Sequence, residues 1–173
     1  MFAIDDYSGD PLIVGILSDT HDKLPAMRAG MRALAINGAK YFIHCGDIGG
    51  TQCIDCLAGH PSAFVWGNND WDRAGLSDYA TGLGITCLEG GGVVELDGKS
   101  LFVTHGDDAP LLRRILSEQK HDYLLLGHTH SMLDTREGKL HVINPGALYR
   151  AAKKTVALLD LERDVVQFLE VNV

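Results

Sequence analysis

Short apolar runs punctuate the chain at 12–17 (LIVGIL), 41–43 (YFI), 63–66 (AFVW), 101–104 (LFVT) and 123–126 (YLLL). Their length and their β-branched and aromatic content predict buried strands. Between the first two, Leu24, Met27, Met31 and Leu34 recur at helical spacing. Pro25 suits the first turn, where no N–H donor is required, and Gly38 suits the C-terminal cap. Strand, helix, strand in that order predicts a βαβ unit. A second amphipathic helix is predicted in DDAPLLRRILSEQ (107–119), with Leu112, Ile115 and Leu116 on one face and Pro110 in its first turn.

The later chain reads as hairpins. VVELDGKSLFV (93–103) is two strand-like runs about Asp97-Gly98, a pair that tolerates the positive φ of a tight turn. HSMLDTREGKLHVI and TVALLDLERDVVQFLEVNV predict two more, turning near Glu137-Gly138 and Arg163-Asp164. The combination predicts the α/β class: two packed mixed β-sheets flanked by helices, an αββα sandwich. A chain of 173 residues suffices for one core. The expected organisation is a single domain over 1–173, with 1–10 as an N-terminal extension.

Charge narrows the partners. With 23 acidic and 15 basic residues the net charge is −8, which excludes broad attraction to nucleic acid or anionic lipid. No apolar run approaches the roughly 20 residues that span a bilayer. The opening MFAIDDYSGDPLIVGIL carries acidic residues where a signal peptide needs basic ones. A cytoplasmic protein is expected, with Cys45, Cys53, Cys56 and Cys87 as reduced thiols. Cys53-x-x-Cys56 lacks a second such pair and reads as small buried side chains on a short helix.

Each strand-like run is followed at once by a metal-ligand type of residue. LIVGILS leads to Asp19 and His21, YFIHCG to Asp47, AFVWG to Asn68, LFVT to His105, and YLLLG to His128 and His130. Ligands of open α/β sheets bind at the carboxyl ends of strands, so these side chains are expected to converge. Residues two apart in extended chain project to one side, which suits His128 and His130. Gly46, Gly67, Gly106 and Gly127, each beside a candidate ligand, allow close approach of backbone. Taken singly, Asp19, Asp47 or Asn68 reads as a turn or helix cap. His44 and His141 read as satisfied histidines at the core edge, and His60 and His121 as solvated. Asp22, Asp70, Asp72 and Asp107 read as capping or supporting groups.

The ordered blocks SDTHD (18–22), HCGDIGG (44–50), WGNND (66–70), VTHGD (103–107), LGHTH (126–130) and INPGA (143–147) resemble the calcineurin-like metallophosphoesterases, in particular their small bacterial and archaeal phosphodiesterase branch. The resemblance implies one metal ion held by Asp19, His21, Asp47 and His130. It implies a second held by Asp47, Asn68, His105 and His128, with the Asp47 carboxylate bridging. A carboxylate has two oxygens to share, whereas an imidazole nitrogen serves one ion. Mixed His, Asp and Asn ligation favours manganese, zinc, nickel or iron over magnesium. In such a pair the ions lower the pKa of a shared water and clamp phosphoryl oxygens through in-line displacement.

The activity implied is hydrolysis of a small phosphodiester by metal-bound hydroxide, with Asp47, Asn68, Asn69 and His105 closest to the chemistry. Phosphomonoester or nucleotide pyrophosphate hydrolysis is the near alternative, and a metal-binding scaffold of the same fold is the alternative outside the enzymes. All seven implied ligands are present, which favours an enzyme. Asn69 stands where many family members carry a histidine that protonates the leaving group or steadies the phosphate, and an amide cannot transfer that proton. Neither a membrane nor an extended nucleic-acid surface is expected as a partner. A homo-oligomer is compatible with the sequence.

Overall fold

A computed structural model describes residues 11–173, so the expected extension at 1–10 lies outside the described residues. One sheet orders its six strands β11-β10-β1-β2-β3-β4. Here β1 is Ile13–Leu17, β2 Tyr41–His44, β3 Ser62–Phe64, β4 Thr86–Cys87, β10 Thr155–Asp160 and β11 Val165–Glu170. The second orders five strands β5-β6-β7-β9-β8. These are β5 Gly91–Leu96, β6 Lys99–Thr104, β7 Tyr123–Leu125, β8 Met132–Glu137 and β9 Leu140–Pro145. Strands β1 to β4 are parallel, β6 is parallel to β7 and β7 to β9, and antiparallel strands complete both sheets.

Alternation along each strand builds the layers. Val14 and Ile16 of β1, with Tyr41 and Ile43 of β2, face the space between the sheets and meet Leu101, Val103, Leu125 and Ile143 from the other side. The intervening Phe42 and Phe64 face outward onto α1 (Leu24–Ile36) and α2 (Thr51–Asp55), where Met27, Leu34, Cys53 and Ile54 are buried. Helix α4 (Ala109–Glu118) covers the second sheet by packing Ile115 against Phe102, Leu124 and Val142. The central strands are therefore buried on both faces, which explains why they read as unbroken apolar runs.

The predicted βαβ unit and all three hairpins form. Asp97 and Gly98 turn at φ 50° and 69°, the paired positive values of the tight turn their sequence suggests. Gly38 closes α1 at φ 90°. Asp108 caps α4 by accepting the Leu111 N–H at 2.9 Å.

One helix, α3 (Arg73–Gly82), is not apparent in the hydrophobic pattern. It buries only Ala80 fully and carries two glycines, so it offers no apolar stripe to detect. His121 is half-buried rather than solvated, because its Nδ1 pairs with Ser100 Oγ at 2.7 Å.

Candidate metal centre

The loops that leave β1, β2, β3, β6 and β7 meet at one end of the sandwich, and they bring together all seven residues expected to ligate metal. The backbone forms first. Asp19 N–H donates to the Gly46 carbonyl at 3.0 Å, His21 N–H to that of Asp47 at 2.9 Å, and Gly127 N–H to that of His105 at 3.0 Å. Asp19, His21, Asp47, His128 and His130 all take positive φ, between 47° and 68°. Asp and His tolerate that region better than most residues, yet each instance costs of order 1–3 kcal/mol. Five such residues in one cluster are sustained by the hydrogen bonds just described.

Two glycines allow the loops to close. A Cβ at Gly67 would lie 2.2 Å from Asp47 Oδ1, and one at Gly127 would lie 2.0 Å from Ser18 Oγ and 2.9 Å from Asp19 Oδ2. Gly67 is thus required by the Asp47 carboxylate, and Gly127 by the Ser18 hydroxyl and the Asp19 carboxylate it bonds.

The two carboxylates are nearly inaccessible to solvent. Asp19 Oδ2 accepts from Ser18 Oγ at 2.7 Å and from His128 N–H at 3.0 Å. Its other oxygen, Oδ1, has no hydrogen-bond partner among the described residues, and neither has His21 Nε2. These two atoms lie 3.8 Å apart, and His130 Nε2 approaches Asp19 Oδ1 to 3.0 Å. Leaving buried polar atoms unpaired costs about 1–3 kcal/mol each, so such a pair is the mark of an absent partner. A cation satisfies both.

Asp47 is held from the other side. Asn69 donates its backbone N–H to Oδ1 and its side-chain amide to Oδ2, both at 2.8 Å. His21 Nε2 and His105 Nε2 each stand 3.4 Å from Oδ2. Burial acts to raise the Asp47 carboxyl, but contacts with His105 and Asn69 outweigh it and hold the group well below the usual carboxylate range. Asp47 is an anion.

His105 directs its Nδ1 to the Cys45 carbonyl at 2.8 Å. A carbonyl only accepts, so Nδ1 carries the proton, and in the neutral ring Nε2 keeps its lone pair for the site. Burial acts to lower His105, but Asp47 and the Cys45 carbonyl prevail and raise it. Asn68 Oδ1 lies 3.1 Å from both His105 Nε2 and His128 Nδ1. Asp19, His21 and His130 place ligand atoms within 4.8 Å of one another, and so do Asp19, Asp47 and His105. Asp19 thus adjoins both groups of donors, which the strand-end pattern did not anticipate. The donor set of carboxylate, imidazole and amide oxygen fits divalent cations.

Several supporting residues take the places that the sequence reading left general. Asp70 is buried and accepts the N–H groups of Gly67 at 2.8 Å, Gly49 at 2.9 Å and Ile48 at 3.3 Å, tying the Asp47 and Asn68 loops together. Asn144, in the NPG block, donates to the Gly127 carbonyl at 2.7 Å and to Thr129 Oγ1 at 3.1 Å, so it braces the loop that carries His128 and His130. His44 is not a ligand. Burial, then the neighbouring His105, lower it to about 3. Gly46 N–H donates to its Nδ1 at 3.2 Å, so Nε2 holds the proton and donates to Thr20 Oγ1 at 2.7 Å.

The comparison with known proteins agrees with this geometry. Phosphodiesterase MJ0936 of Methanocaldococcus jannaschii is 29% identical over 155 residues, covering 87% of this chain and 93% of that protein. The solved structure of an archaeal phosphodiesterase superposes with a TM-score of 0.85 at 27% identity, covering 92% of this chain and all of that one. The E. coli phosphoesterase YfcE superposes with a TM-score of 0.64 at 21% identity, covering 93% of this chain and all of its own, a likeness of fold alone. The calcineurin-like phosphoesterase superfamily domain matches residues 12–164, and the chain belongs to that superfamily.

Proposed function

We propose that this chain is a dimetal phosphodiesterase, one metallophosphoesterase domain over 1–173, working in the cytoplasm on a small phosphorylated substrate. The observation that carries the reading is the pair of buried, unpartnered donor atoms, Asp19 Oδ1 and His21 Nε2, inside a ring of imidazoles and carboxylates. Among the described residues no helix is long and apolar enough to cross a membrane.

In this reading Asp19, His21, Asp47 and His130 hold one ion and Asp47, Asn68, His105 and His128 the other, with manganese, zinc, nickel or iron favoured by the donors. When bound, the ions supply Lewis acidity and positive charge at the phosphoryl group, and they lower the pKa of water to near neutrality. The chain's own residues do the positioning. Asn69 fixes both oxygens of Asp47 through two hydrogen bonds, so its amide serves the bridge. The Cys45 carbonyl sets the tautomer of His105. No proton donor occupies position 69, so the reaction favours leaving groups stable as anions.

Elemental analysis of purified protein, with metal add-back assays on bis-p-nitrophenyl phosphate and p-nitrophenyl phosphate, tests the reading. The diester is expected to be hydrolysed faster. Asp47→Ala should lose most of both ions, whereas His130→Ala and Asn68→Ala should each weaken chiefly one. Two ions per chain retained in Asp47→Ala would sink the bridging role, and a metal-loaded protein inert to both esters would point to a scaffold.

A further inference from the structure

We propose that Trp71 is a stacking platform for the substrate, and that the diester this site takes carries a nucleobase. The inference rests on the phosphodiesterase reading above and adds the substrate class. Trp71 borders the cavity of about 290 Å³ that His21, Asp47 and Asn69 also line. Its side chain is 86% exposed. Tryptophan is among the side chains with most apolar surface to bury, so an indole left in solvent at the mouth of a polar pocket offers a face for stacking.

The backbone that presents Trp71 is rigid. On one side the Asp70 carboxylate takes three backbone N–H groups. On the other, Arg73 donates Nε to the Asp70 carbonyl at 2.9 Å and Nη2 to the Gly67 carbonyl at 2.6 Å. The indole is therefore held at the mouth by a fixed loop. It makes no hydrogen bond, ring contact or cation contact with another described residue. Tyr149, the other aromatic beside the site, is already engaged: its ring lies 5.4 Å from that of His21, with the Lys23 ammonium 4.7 Å from its centre. Among the described residues, Trp71 is the aromatic face at the site left open to a ligand.

Position bears on the kind of ligand. Trp71 stands two residues from Asn69, whose amide holds Asp47, and lines the same cavity, so one small molecule can place its phosphate at the donor cluster and a flat group against the indole. Stacking on an aromatic side chain is indifferent to base identity, so the preference is for a nucleobase of any kind. The net charge of −8 opposes a long polyanion, which points to nucleoside diesters of small size.

The test holds the leaving group constant and varies the other ester. Thymidine 5′-p-nitrophenyl phosphate and p-nitrophenyl methyl phosphate both release p-nitrophenolate. In Trp71→Ala the ratio of kcat/KM for the thymidine ester to that for the methyl ester is expected to fall about 10-fold, and Trp71→Phe should restore most of it. An unchanged ratio in Trp71→Ala would overturn the proposal. Binding is read separately by fluorescence of the metal-loaded protein, since the second tryptophan, Trp66, is buried. Thymidine 5′-monophosphate should quench saturably and methyl phosphate should not. If the wild type cleaves neither ester, the enzymatic reading fails and the quenching decides the stacking role alone: saturable quenching by the nucleotide sustains it, and none overturns it.

Discussion

At the scale of single residues, the site is shaped as much by missing side chains as by present ones. Gly67 is not in the left-handed region; its requirement is space, because a Cβ there would fall 2.2 Å from Asp47 Oδ1 and 2.5 Å from Asp47 N. Asp47 is buried, its N belongs to the backbone, and its Oδ1 is fixed by the Asn69 N–H at 2.8 Å. Gly67→Ala should therefore destabilise the metal-free protein by about 1–3 kcal/mol, as overpacking does, and reduce bound metal because Asp47 is displaced. Gly82, at the end of α3, has nothing within 4 Å of an added Cβ and is exposed. Gly82→Ala should be neutral or slightly stabilising. Urea midpoints in the presence of chelator, with metal content of the loaded proteins, compare the two; equal midpoints would mean that the Asp47 loop yields to the methyl group. The glycine beside each ligand was legible as a sequence pattern. That Gly67 makes room for Asp47 was not, since the two are brought together only by the pairing of β2 with β3.

At the scale of elements, apolar runs and turn pairs foretold the strands because those strands are buried on both faces and joined by tight turns. They failed for α3, whose packing on α2 and β4 leaves most of its surface polar. They also gave no hint of how the two sheets are tied at the end remote from the metal cluster. There the β10–β11 turn places Asp164 against three strands of the other sheet. It accepts from Tyr123 Oη at 3.0 Å, from His141 Nδ1 at 2.7 Å and from Arg136. His141, expected to be satisfied, has its other nitrogen on Asp134 Oδ1 at 2.7 Å. Burial acts to raise the Asp164 carboxyl, but Arg136, His141 and Tyr123 together hold it below its ordinary value. A carboxyl depressed in the folded state contributes stability that is complete above its unfolded value of about 3.9 and is lost as pH falls through the lower folded value. The group is 40% exposed, so the contribution is small, about 1 kcal/mol. Asp164→Asn should lower the melting temperature by about 2–4 °C at pH 7, and the difference should shrink below pH 4. A gap that widens as the pH falls would mean that the Asp164 contacts act through packing and not charge.

At the scale of the whole molecule, the candidate metal centre joins the two sheets. Asp19, His21, Asp47 and Asn68 extend from one sheet, and His105, His128 and His130 from the other. Ions bound between them cross-link the sandwich at that end, as Asp164 does at the opposite end. The unfolded chain has no such arrangement of donors, so binding adds to folding stability by mass action. At a free metal concentration 100 times the dissociation constant, one site contributes about 2.7 kcal/mol. For a chain of this size that is a rise of about 5–10 °C in melting temperature. Chelation should therefore lower the melting temperature by at least this amount, and manganese or zinc should restore it. On the proposed assignment, in which His130 serves one ion and Asp47 both, His130→Ala should keep part of the response and Asp47→Ala almost none. The shift is read without any assay of activity. If stripping the metal leaves the melting temperature where it was, the five left-handed residues and the Asp19 Oδ1 that accepts no hydrogen bond must be stabilised by the protein alone, and the cluster would not be a strong metal site of the folded state.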